Sequence, residues 1–287
     1  MPYTDANDGV RLYFEVSGSG IPIIFLHEFA ADYSSWTPQL RHFSRNHCCI
    51  TYSARGFLPS QVPTAEQAYT YDHFRDDAIA ILDHLEIEAA HFVGLSMGAY
   101  SSLQVALRSP SRVLSLTLAG IGAGFEARHL DAFRAECRQR AERFEKEGPA
   151  ALAEIIGMGP ARIPFLLKDP DGFREFYDAL AKHDAIGSAF TMRAFQGGRP
   201  PVSAFESKLI QITQPTLIML GDEDDACVEP SLYLKRTIAA SGLVTFPKTG
   251  HTLNLEEPLL FNETVERFFM MTKAGRWPQR DPRSRRG

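Results

Sequence analysis

The sequence predicts an α/β fold, a mostly parallel eight-stranded sheet flanked by helices, with a helical segment inserted late in the chain. Three observations predict it. Apolar strand-like runs alternate with amphipathic helical runs over most of the chain, the pattern of a parallel sheet covered on both faces. That alternation stops between about Phe125 and Phe205, where two long stretches have helical periodicity and no strand-like run lies between them. In "HFVGLSMGAY", His91 to Tyr100, an apolar strand pattern ends in a serine between two glycines and passes at once into a helix.

The elements follow in order. A strand near Tyr3 and another at Arg11–Val16 ("RLYFEV") read as a hairpin, and a turn at Gly18–Gly20 leads to the buried strand "IPIIFL" at Ile21–Leu26. A short helix is expected around Trp36–Phe43, then a strand in "CCITYSARG". Tyr71–Leu85 places Phe74, Ala78, Ile81, Leu82 and Leu85 on one helical face. The strand His91–Val93, the helix Ala99–Leu107 and the strand Val113–Ala119 ("VLSLTLA") come next. After the helical insertion the alternation resumes with Pro215–Gly221 ("PTLIMLG"), a helix near Pro230–Ala240, the strand Leu243–Phe246, and a closing helix from about Glu257 to Met271. The expected division is a core of residues 1–124 and 206–272, a helical cap or lid of 125–205, and a basic, disordered tail of 273–287.

Composition narrows the functional class. A formal net charge of -5 over 287 residues provides no global basic field for nucleic acid. The polar, turn-rich first twenty residues do not read as a signal peptide, and no run approaches the length of a membrane span, so a cytoplasmic protein with no membrane role is expected. The four cysteines have no C-x-x-C spacing.

Gly94-Leu95-Ser96-Met97-Gly98 matches G-x-S-x-G, a sharp strand-to-helix turn that lifts a serine hydroxyl above the edge of a sheet. Glycines give room in so tight a turn, and the helix start puts backbone N–H groups and partial positive charge beside the hydroxyl. A serine is a weak nucleophile at neutral pH and needs a base within hydrogen-bond reach and an acid to orient that base. His251, in "FPKTGHTLNLEEP" after the last strand, is placed to be the base; the acid falls among Asp222, Asp224 and Asp225, which follow the strand "PTLIML". Sequence order alone does not choose among the three. His27-Glu28 is not a zinc-protease motif, since H-E-x-x-H needs a histidine at Ala31. "AGIGAG" at Ala119–Gly124 gives only G-x-G-x-G and is read as the hinge of the insertion, against a dinucleotide fingerprint.

On "IIFLHEFA", "YSARGFLPS", "GLSMGA", "GDEDDACVEP" and "GHTLNLEEP", the chain from about Val10 to Phe269 resembles proteins of the α/β-hydrolase fold that carry a serine triad and a helical lid. The resemblance implies Ser96, Asp224 and His251 as catalytic residues and the backbone N–H groups of Phe29 and Met97 as an oxyanion hole. It implies no metal and no cofactor. His27, Glu28, Arg55, Trp36 and Phe125 are candidate pocket or supporting residues. Glu28 departs from the His-Gly that relatives carry here; it pairs with an arginine such as Arg55, or points to solvent, or enters the pocket as a second ionisable group. The implied activity is hydrolysis of a carboxylic ester or lactone with an apolar portion through an acyl-enzyme. The alternatives are a C–C bond hydrolase of ring-cleavage-type diketones on the same triad, or a non-catalytic ligand receptor on the same fold.

Overall fold

The computed structural model describes residues 2–122 and 130–284. Its strands are β1 (Tyr3–Asp5), β2 (Arg11–Ser17), β3 (Ile21–Leu26), β4 (His47–Tyr52), β5 (Ala90–Leu95), β6 (Val113–Ala119), β7 (Thr216–Gly221) and β8 (Ser241–Phe246). They form one eight-stranded sheet in the order β1-β2-β4-β3-β5-β6-β7-β8. β1 and β2 pair antiparallel, as do β2 and β4, and every other pairing is parallel.

Residue alternation along the central strands sorts the core into two layers. Ile24 and Leu26 of β3 and Phe92 of β5 join one cluster; Ile23, Phe25, Val93 and Leu95 join the other. Against the first face lie α2 (Tyr71–His84) and α3 (Met97–Arg108), through residues such as Phe74, Ile81 and Leu103. Against the second lie α1 (Thr37–Phe43) and the closing helix, through Phe43, Phe261, Val265 and Phe268. Trp36, a candidate pocket residue in the sequence, is fully buried in this second layer between Phe25 and Phe261. Its place is the core: Trp36 ends a turn of 3-10 helix (Tyr33–Trp36) that leads into α1, and an indole of that size fills the space beneath β3.

Between β6 and β7 the described chain is helical: α4 (Leu130–Glu147), α5 (Pro149–Leu152), α6 (Ile163–Lys168), α7 (Pro170–Leu180), α8 (Ala185–Phe190) and α9 (Glu206–Leu209). After β7 come α10 (Asp225–Thr237), then, beyond β8, α11 (Leu253–Glu256) and α12 (Pro258–Lys273). α10 begins five residues before the helix expected from sequence and holds Pro230 in its interior. There the proline packs against Gly122, where φ is 123° and any added Cβ would overlap the Pro230 ring. This contact, and the Gly120 contact described below, account for two glycines of "AGIGAG", whose third, Gly124, lies outside the described residues. Among the described residues no single helix is long and apolar enough to cross a membrane.

The segment after Lys273 departs from expectation as far as it is described. It is docked rather than disordered: Trp277 packs edge-on against Phe268 and donates its ring N–H to the Ala240 carbonyl at 2.9 Å, and the Arg280 N–H reaches the Ala239 carbonyl. A single tryptophan has enough apolar surface to anchor a tail whose other residues are polar, and composition averaged over the segment hides it.

Candidate active site

The chain passes from β3 out to β4 and returns to β5 on the other side of β3, so the strand order reverses at β3 and leaves a crevice beyond the carboxyl ends of β3 and β5. Leu26 pairs with Gly94 in register, which sends residues 27–29 and 95–97 out of the sheet side by side.

At the end of β5, Ser96 has φ 54° and ψ -109°, a backbone conformation that costs a non-glycine residue of order 1–3 kcal/mol and persists only where surrounding structure imposes it. The flanking glycines show what imposes it. A Cβ on Gly94 would overlap the Gly98 carbonyl, and one on Gly98 would overlap the Leu26 carbonyl. The start of α3 is thus pressed against the backbone leaving β3. The Ser96 N–H is held by the Ala119 carbonyl at 2.8 Å. Met97, as the first residue of α3, has no intrahelical acceptor for its N–H. Among the described residues neither Met97 nor Phe29 donates its N–H to a backbone carbonyl.

His251 and Asp224 arrive from the far end of the sheet. Gly221 closes β7, and a side chain there would overlap the carbonyls of Thr249 and Gly250, so the histidine loop lies directly on the strand end. Asp224, 2% exposed, places Oδ2 at 2.5 Å from His251 Nδ1. Burial alone would raise its carboxyl pKa; the adjacent imidazole, by charge and hydrogen bond, outweighs this and holds it below the ordinary value. Asp222 has another task, accepting the Thr249 N–H at 3.2 Å, and Asp225 is the first residue of α10. The imidazole also packs on Gly120, where an added Cβ would fall 3.2 Å from Cε1.

Ser96 itself is not hydrogen-bonded to His251, and among the described residues its hydroxyl has no hydrogen-bond partner. The ring nitrogen turned away from Asp224, Nε2, lies 3.9 Å from Glu28 Oε2. A serine–histidine hydrogen bond is often absent or poorly aligned in a free enzyme and forms only with substrate bound.

Glu28 is where sequence reasoning is corrected. It does not pair with Arg55, which is buried between Asp8 and Asp77, its Nη2 reaching Asp77 Oδ1 and its Nη1 reaching Asp8 Oδ2, both at 2.6 Å. It does not point to solvent, being 2% exposed. Its partner is Arg162, from the helical insertion, whose Nη1 lies 2.7 Å from Oε1 and whose Nη2 bonds Oε2. Arg162 also bonds the Thr252 hydroxyl, beside His251, and stacks 5.2 Å over the Phe176 ring. Burial would raise the Glu28 pKa, but the Arg162 guanidinium more than offsets it and the carboxyl sits below its usual range. No periodicity or motif marks this pair, because its members are 134 residues apart. The only sign in the sequence is the carboxylate standing where glycine is usual.

Two further ties fix the same loop. The His251 N–H donates to the Ala161 carbonyl at 2.9 Å, and Lys168 of α6 bridges to Glu257 at 2.6 Å and Glu256 at 3.2 Å. His27 supports the Phe29 loop from behind: Nδ1 bonds the Glu28 carbonyl at 2.6 Å and Nε2 accepts the Ala54 N–H at 2.9 Å. Phe29 packs against Phe57 and Phe144. Phe125 lies outside the described residues. A cavity of about 460 Å³ has mixed walls, with Ala30, Ala31, Phe165, Phe176 and Leu255 beside Asp32, Arg41, Asp169, Glu175 and His183; neither Ser96 nor His251 lines it.

Cys227 is a residue of this site that sequence reasoning missed. Its thiol lies 3.9 Å from His251 Nδ1 and donates to the Gly120 carbonyl at 3.2 Å. Asp224, Cys227 and His251 thus bring three donor atoms within 4.8 Å of one another, a set that could hold a metal ion. The 2.5 Å Asp224–His251 hydrogen bond already uses the histidine nitrogen such an ion would need.

A nucleophile-elbow turn at the switch point of a mostly parallel sheet, facing an acid–imidazole pair carried on the last two strand ends, defines the alpha/beta hydrolases. The chain belongs to that family: residues 21–258 match the family described as alpha/beta hydrolase fold. It is an enzyme of the hydrolase type. Among curated proteins it is similar to 3-oxoadipate enol-lactonase 2 of Acinetobacter baylyi, 28% identical over 247 residues that cover 85% of this chain and 86% of that protein. It is similar also to 2-hydroxymuconate semialdehyde hydrolase of Pseudomonas sp. (strain CF600), 28% identical over 278 residues and covering 93% of each chain. Among solved structures, the enol-lactonase from Burkholderia xenovorans LB400 superposes with a TM-score of 0.80 over 94% of this chain and 100% of that one, at 24% identity, a likeness of fold.

Proposed function

We propose that the protein hydrolyses a carboxylic ester or lactone through a Ser96-His251-Asp224 triad. The observation that carries this reading is the 2.5 Å Asp224–His251 pair, delivered by two separate strand ends to the crevice that the strained Ser96 turn also faces. His251 Nε2 takes the Ser96 proton as Oγ attacks the carbonyl carbon, and the Phe29 and Met97 N–H groups receive the oxyanion. Collapse expels the alcohol, which takes the proton from His251, and leaves an acyl-serine. Water then attacks that ester and regenerates the hydroxyl. Asp224 keeps His251 in the tautomer with its proton on Nδ1 and stabilises the imidazolium. The described part of the 125–205 insertion, from Leu130 onward, acts as a cap over this site, supported by the contacts of Ala161, Arg162 and Lys168 with the histidine loop.

The Phe165, Phe176 and Leu255 side of the neighbouring cavity suits a substrate with an apolar part. Arg162 is already committed to Glu28, which argues against its serving as the docking point for a free substrate carboxylate. A second reading, hydrolysis of a C–C bond in a ring-cleavage-type diketone, draws on the similarity to the semialdehyde hydrolase, since the same nucleophile and base serve that chemistry. A fluorophosphonate probe is expected to label Ser96, and Ser96→Ala to abolish labelling and turnover together; turnover surviving in the variant would refute the triad. Rates on aryl esters, lactones and vinylogous diketones then assign the bond cleaved.

A further inference from the structure

Resting on the reading of Ser96 as nucleophile, we infer that Glu28 is a positioning residue for the water that releases the acyl group. Its Oε2 lies 3.9 Å from His251 Nε2, too far for a direct hydrogen bond. That span suits one water bonded to both: two contacts of about 2.8 Å across it subtend about 90° at the water oxygen. Nε2 is the only imidazole nitrogen available, because Asp224 occupies Nδ1. A carboxylate has about four acceptor positions, and Arg162 takes one on each oxygen, so Oε2 keeps a lone pair for a water proton. Arg162 also explains how a buried carboxylate is tolerated one residue before Phe29, where developing negative charge is to be stabilised.

The water oxygen bonds to the acyl carbon; one of its protons passes to His251 Nε2, while the other O–H stays hydrogen-bonded to Glu28 Oε2. The tetrahedral intermediate collapses with cleavage of the C–Oγ bond. Ser96 Oγ recovers the proton from Nε2, and the carboxylic acid departs. Glu28 gains and loses no proton; it fixes where the water stands.

Glu28→Gln tests this, since Arg162 claims the amide oxygen and turns an NH₂ donor toward the water site. With p-nitrophenyl acetate in stopped flow, the variant is expected to release about one nitrophenolate per active site in a burst as fast as the wild type acylates. Steady turnover should then be about 10²-fold slower, with acetyl-Ser96 detectable by intact mass. Hydroxylamine, a nucleophile that does not need the held water, should restore turnover. Equal loss of acylation and deacylation would mean a structural role only, and wild-type deacylation would mean no role; either overturns the inference. If Glu28→Gln does not fold, Glu28→Asp, which keeps the charge but withdraws the carboxylate by one methylene, is read by the same criterion. Failure of the wild type to label with fluorophosphonate would instead remove the serine mechanism itself, so the two failures are distinguishable.

Discussion

At the scale of single residues, the site is governed by which buried polar atoms have partners. Asp224 meets His251 and Glu28 meets Arg162, each carboxylate almost wholly shielded from water and each held ionised by the cation or imidazole beside it. Asp224→Asn is therefore expected to keep the fold but reverse the hydrogen-bonding sense at Nδ1, trapping the wrong tautomer. A loss of about 10⁴-fold in kcat is expected, measured on an aryl ester with thermal unfolding as the control for folding. Ser96 and His251 could be singled out from sequence because each follows a strand end in a characteristic order; Asp224 stood out from Asp222 and Asp225 only through the family resemblance. The pairing of Arg162 with Glu28 and the place of Cys227 beside His251 could not be read: one acts from a 3-10 turn of the insertion and the other from inside a helix, and nothing local fixes what either side chain meets. Arg55 was misassigned for a related reason, since its partners Asp8 and Asp77 lie in a loop and a helix whose proximity only the folded sheet creates.

Among the elements, the strands were the most legible. Val113–Ala119 and Ile21–Leu26 have the same bounds in sequence and structure, because a buried parallel strand is a near-continuous apolar run, interrupted in Val113–Ala119 only by the small, buried Ser115 and Thr117. Helix starts were less so. α10 begins at Asp225 although the apolar periodicity begins near Pro230, because the turn after β7 fixes the first helical residues and Gly122 makes room for the proline. The β5–α3 junction gives the sharpest test at this scale. Gly98→Ala would drive a methyl group into the Leu26 carbonyl, and main chain on both sides cannot yield as a flexible side chain can. We expect destabilisation of about 1–3 kcal/mol or more, read as a shift of the urea midpoint without change of slope. Loss of activity should exceed the loss of folded protein, because the same shift moves the Met97 N–H.

For the whole molecule, the sheet brings distant segments together at one edge, and the described helical insertion is joined to the core both by apolar packing, Phe195 on Phe74 and Tyr100, Phe190 on Tyr69 and Phe144 on Phe29, and by the polar ties of Ala161, Arg162 and Lys168. The tail belongs to this scale too. Removing residues after Lys273 takes away Trp277, its contact with Phe268 and its hydrogen bond to Ala240 on the β8 side of the sheet. A truncated chain is expected to unfold several degrees lower while its kcat/KM is unchanged, since no described residue of the tail bonds to Ser96 or His251; an unchanged melting temperature would count against the docked arrangement. The tie from the Ala161 carbonyl to the His251 N–H has a different consequence. The insertion is not an interchangeable module: a chimaera given the corresponding segment of a cousin would gain that cousin's preference in substrate only if the graft also returned a carbonyl to the histidine loop. Diversification of the segment is therefore constrained at the Ala161 backbone, and likewise at Arg162 and Lys168, which grip the same loop.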